Sequence, residues 1–120
     1  MIRELAGLLH RRLIAAFMYS IEGFGAAWKS EEAIKVEITL LPVLVISAAY
    51  FGENGVERAL MVASVVAVLI VELLNTAIEK TVDRISTESN PLSKKVKDIG
   101  SAAVLGAIIN VAIVWTFVLI

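Results

Sequence analysis

Four polar residues, Glu72, Asn75, Glu79 and Asp83, recur at three- and four-residue spacing directly after the apolar run 59–71. No Pro or Gly interrupts 59–86, so run and acids read as one helix that begins apolar and ends acidic. At about 100° per residue the four fall within an arc of roughly 80°, and the stripe climbs about 16 Å from Glu72 to Asp83. Glu72 is the unusual member. A carboxylate this close to a lipid-facing run is costly unless it meets protein, water or a metal, and ionisable groups in such places generally carry function. A solvated acidic helix end is the alternative reading.

The chemistry open to such a stripe depends on its neighbours. Glu31, Glu32, Lys35, Glu37, Glu79, Asp83, Glu88, Lys97 and Asp98 would all gather at one polar boundary. Carboxylates beside basic residues suit a magnesium–polyphosphate site: Mg²⁺ takes one or two carboxylates plus phosphate oxygens, and cations neutralise the remainder. Glu31 and Glu79 stand at similar depth and could share the metal. Glu72, about 10 Å deeper, could accept a proton from a lipid hydroxyl. The sequence has no GxxxxGK[ST] loop and no protein-kinase motif set, so a nucleotide site would be unconventional. The same spacing fits a proton or cation conduit nearly as well.

Positioning these groups calls for membrane helices. The 120 residues are 58% apolar with mean hydropathy +0.83, and they suffice for one domain, 1–120. Of the eleven Lys and Arg, five fall in 1–35, one in 52–58 and five in 80–97, the charge map of an integral membrane protein. A net charge of −1 argues against nucleic acid, and without Cys there is no thiolate or disulfide chemistry. Leu5, Leu8, Leu9, Leu13, Ala16 and Phe17 recur at helical spacing against Arg3, Arg11 and Arg12, which predicts an amphipathic surface helix over about 1–28. This segment lacks the h-region and cleavage site of a signal peptide.

Gly23 and Gly25 mark a break or a close helix contact, and Ser30 reads as the cap of the next helix. Membrane helices are expected over about 31–51, 56–86 and 91–120, with Pro42 inside the first and Pro91 starting the third. Asn110 reads as an interhelical hydrogen bond, and Gly100, Ser101, Ala102, Ala103, Gly106 and Ala107 as a close-packing surface. The basic residues place the N-terminus and the 80–97 loop in the cytoplasm. The fold class expected is an all-α membrane protein.

At these residues the sequence resembles the bacterial integral-membrane diacylglycerol kinase family, which includes the undecaprenol kinases. Residues Val71 to Glu79 (VELLNTAIE) and Val82 to Ile85 (VDRI) resemble the family's VEILNSAIE…VDRI signature. Lys97 to Leu105 (KDIGSAAVL) resembles KDMGSAAVL, and Ala26-Ala27-Trp28 with Glu31 and Ala33 resembles AAW..E.A. The resemblance covers nearly the whole chain. It implies a homotrimer in the bacterial inner membrane that transfers the γ-phosphoryl of MgATP to a lipid alcohol.

By matched position, Glu72 would be the catalytic base, and Glu31 and Glu79 would hold magnesium. Arg12, Tyr19, Glu88, Lys97 and Asp98 would contact ATP, with Asn75 and Asp83 in support. Arg12, Ser20, Ala26, Ala27, Trp28, Ala33, Glu37 and Ser101 would line the lipid or shared site, between subunits. Diacylglycerol is the acceptor expected, from Ala26-Ala27-Trp28 and Glu37. Ile21-Glu22-Gly23 instead resembles the undecaprenol kinases, Gly25 stands where the family usually has Arg, and Ser89-Asn90 differ from its nucleotide loop. The rivals from other classes are the conduit, which would pass ions without ATP, and a non-catalytic membrane scaffold.

Overall fold

A computed structural model describes residues 1–120, and the chain is entirely helical. Four helices follow in order: α1 (Ile2–Ser30), α2 (Glu32–Phe51), α3 (Gly55–Ile85) and α4 (Pro91–Leu119). Three of them, α2, α3 and α4, are long and apolar enough to cross a membrane. The chain divides into two compact units, 1–32 and 33–120.

The first unit is α1. It runs unbroken through Gly23 and Gly25, so the expected break is absent. A single mid-helix glycine costs only about 1 kcal/mol against Ala, too little to interrupt a helix of this length. Ser30 is the last residue of α1 rather than the cap of α2. The chain leaves the helix at Glu31, which is extended (φ −125°, ψ 115°) with its N–H still bonded to the Ala27 carbonyl.

The second unit is held by α3 lying along α4. At the polar end, Lys97 Nζ meets Asp83 Oδ1 at 2.7 Å. Deeper, Gly100 is buried against the side chain of Asn75. At the far end, the Trp115 indole N–H donates to the Met61 carbonyl at 3.2 Å. Of the small residues expected to pack closely, Gly100 alone is buried; Ser101, Ala102, Ala103 and Gly106 are exposed. Asn110 is also exposed and makes no side-chain hydrogen bond within the chain.

Local chemistry sets the helix ends. Asn54 caps α3 by accepting from Glu57 N–H (2.9 Å), and the Glu57 carboxylate reaches back to Glu53 N–H (2.8 Å). Asn90 caps α4 through Leu92 and Ser93 N–H, with Pro91 in the first turn where its missing N–H costs nothing. Between α2 and α3, Arg58 folds back over Gly52 and donates to the Ala49 carbonyl at 3.2 Å. A Cβ at Gly52 would lie 2.8 Å from the Ala48 carbonyl and 2.5 Å from Arg58 Cγ. The carbonyl belongs to rigid helix backbone and cannot yield. Gly52→Ala is therefore expected to cost about 1–3 kcal/mol, read as a lowered unfolding midpoint in detergent.

Candidate functional site

The acidic stripe forms on α3 as its spacing requires, and two other helices close on it. Asn75 is buried, Glu72 and Glu79 are half-buried, and Asp83 is exposed. Glu72 sits beside Glu37 of α2, close enough for their carboxyls to hydrogen-bond. Glu37 Oε2 is itself buried with no donor. Two carboxylates this close repel when both are charged, so a proton shared between them, or a cation, is favoured. Next to the pair runs an apolar groove of about 390 Å³, lined by Glu37 and Leu41 of α2, Val68 and Leu69 of α3, and Ile108 and Val111 of α4.

One turn further along α3, the Asn75 amide Nδ2 donates to Glu79 Oε1 across a long 3.4 Å, while Asn75 Oδ1 is buried without a partner. Asn75 thereby holds the Glu79 carboxylate, and Gly100 makes room for it. Past Glu79, the end of α3, the linker 86–90 and the first turns of α4 enclose a polar pocket of about 320 Å³. Asp83, Glu88, Lys97 and Asp98 all line it. Lys97 is paired with Asp83, and Lys94 with Asp98 at 2.6 Å. The Lys94–Asp98 pair was not anticipated from the sequence, although i, i+4 spacing on a helix is its visible signal.

Tertiary structure thus brings Glu37, Glu72, Asn75, Glu79, Asp83, Glu88, Lys97 and Asp98 into two adjoining places along α3. Ser101 lies on the exposed face of α4, one residue past Gly100, and Ala33 is exposed in the first turn of α2. Arg12, Tyr19, Ser20, Ala26 and Trp28 are exposed on α1 and Ala27 is buried there; Glu31 follows at the end of α1. Glu79 presents the hard oxygen donors that Mg²⁺ prefers. No three His, Asp or Glu side chains gather into a ready-made metal site, so a magnesium ion here would complete its shell with phosphate oxygens and water.

The fold and these two places define a helical membrane protein with a carboxyl pair beside an apolar groove and a polar, lysine-containing pocket at the end of the same helix. Residues 18–119 match the model of the prokaryotic diacylglycerol kinase family, and the chain belongs to that family of lipid kinases. It is 45% identical to a diacylglycerol kinase of Pseudomonas aeruginosa over 111 residues, covering 92% of this chain and 89% of that protein. It is 44% identical to the diacylglycerol kinase of Escherichia coli K12 over 108 residues, 90% and 88% of the two chains. A diacylglycerol kinase of Helicobacter pylori is 36% identical over 105 residues, 88% and 82% of the two.

Proposed function

We propose that the protein transfers the γ-phosphoryl group of MgATP to the hydroxyl of a membrane lipid, with diacylglycerol as acceptor and phosphatidic acid as product. The observation that carries this reading is the Glu37–Glu72 pair beside an apolar groove. An amphiphile has the complementary form: an alkyl chain suits the groove, and its hydroxyl comes to the carboxyl pair, where Glu72 accepts its hydrogen bond. Glu72 then takes that proton as the hydroxyl oxygen attacks the γ-phosphorus, the bond to the β-phosphate oxygen breaks and ADP leaves. Lys97 and Asp98, with Glu88, suit the nucleotide in the polar pocket, and Asp83 and Asn75 hold Lys97 and Glu79 in place. Magnesium on Glu79, and on Glu31, would neutralise charge on the phosphate oxygens.

The unit that works in the membrane is, in this reading, a homotrimer. Apolar residues along α4, among them Leu105, Ile109, Ile113 and Phe117, are exposed, and Asn110 lies among them without a partner. A polar amide facing lipid is costly, and a neighbouring subunit relieves that cost. α1 would lie on the cytoplasmic surface of the bacterial inner membrane as an amphipathic helix. From there Arg12 and Tyr19 would serve the nucleotide, and Ser20, Ala26, Ala27 and Trp28, with Ala33 and Ser101, the lipid. The basic residues of 1–35 and 80–97 support that orientation.

The test is a side-by-side measurement of kcat/KM for dioctanoylglycerol and a C55 polyprenol with MgATP in mixed micelles. Faster phosphorylation of dioctanoylglycerol is expected. A polyprenol preference, which Ile21-Glu22-Gly23 would favour, would move the acceptor to undecaprenol and leave the kinase standing; phosphorylation of neither would sink the reading.

A further inference from the structure

We propose that Lys94 is a further nucleotide-positioning residue, which releases Asp98 and binds the phosphate chain when MgATP enters the polar pocket. The inference rests on the kinase reading for the identity of the ligand, and on the pocket itself for the residue. Lys94 lies one helical turn before Lys97 on α4, so the two ammonium groups share one face. Both line the pocket, together with Asp83, Glu88 and Asp98. Each lysine pairs with one aspartate: Lys97 with Asp83 at 2.7 Å and Lys94 with Asp98 at 2.6 Å.

The charge balance of the pocket gives Lys94 its importance. Three acids face two lysines there, so the pocket is already acidic for a polyanion. Without Lys94 the excess of negative charge doubles, and Lys97 alone would face the phosphates. The Lys94–Asp98 pair is also the more exposed of the two, with side chains 77% and 62% accessible. A pair so open to water holds weakly, whereas a polyphosphate offers several charged oxygens. Exchange of one partner for the other is therefore favourable, and it frees the Asp98 carboxylate within the same pocket. Lys97, which is 40% accessible and ties α4 to α3, is the less mobile of the two.

The experiment uses the full-length protein in detergent and reads equilibrium binding of MgATP, ADP and adenosine by competition with a fluorescent ATP analogue. Wild type, K94A, K94R and the charge control K80A are compared after thermal melts establish equal folding. K94A is expected to weaken MgATP by about three- to tenfold and to leave adenosine unchanged, since the contact is with phosphate. K94R should restore affinity to within about twofold, and K80A should match wild type. In turnover, K94A should raise the KM for ATP with little change in kcat.

Unchanged MgATP affinity in K94A overturns the proposal. So does an equal loss for adenosine, which would mean that the linker had merely shifted, and so does a K80A loss as large as that of K94A. Wild type that binds ATP with the expected K94A defect but phosphorylates no lipid would sink the kinase reading and leave this one standing. Wild type that binds no nucleotide would sink both.

Discussion

Glu72→Gln is expected to lower kcat for lipid phosphorylation by about 10²- to 10⁴-fold while leaving MgATP affinity within about twofold. Gln keeps the size and polarity of Glu but cannot accept the hydroxyl proton. The residue lies beside Glu37, at the groove end of the stripe, about 16 Å along α3 from Asp83 at the polar pocket. Loss of the proposed base should therefore spare the nucleotide. Glu79→Gln should behave in the opposite way. Its carboxylate is the oxygen donor positioned by Asn75, so the amide should weaken magnesium-dependent ATP binding. Titration of MgATP and of ATP in EDTA against both variants separates the roles. Equal loss of MgATP affinity in the two would contradict the division.

Gly100→Ala carries the second large effect. A Cβ there would drive into the Asn75 amide oxygen where α4 packs on α3. Either the helices part or Asn75 turns away. The expected cost is about 1–3 kcal/mol of stability. If Asn75 turns, Glu79 loses its neighbour, and a displaced ligand of this kind should lower activity by about ten- to a hundredfold. The double variant Gly100→Ala/Asn75→Ala separates the two consequences. Removing the amide relieves the overlap, so the unfolding midpoint should recover, but activity should not. Recovery of both would show that Asn75 has no part in placing Glu79.

Much of this protein is legible in the order of its residues. Period and hydropathy set three membrane-length helices, because a helix in lipid satisfies its own backbone and needs only apolar side chains to be stable there. Pro91 sets the start of α4 to the residue, because proline suits the first turn of a helix, where its missing N–H costs nothing. The acidic stripe likewise follows from the 100° step alone.

What spacing could not supply is who faces the stripe. That Glu37 meets Glu72, that Gly100 rather than the whole run of small residues meets Asn75, and that Lys97 reaches Asp83 are contacts between segments far apart in sequence. Their register is decided by how α2, α3 and α4 fit together. Local energetics explains why the expected break in α1 is absent. Gly23 and Gly25 break nothing because a glycine's intrinsic cost is small beside the hydrogen bonds of a long helix. Asn110 finds no partner within the chain because helical spacing says which face a side chain occupies, not which helix comes to meet it.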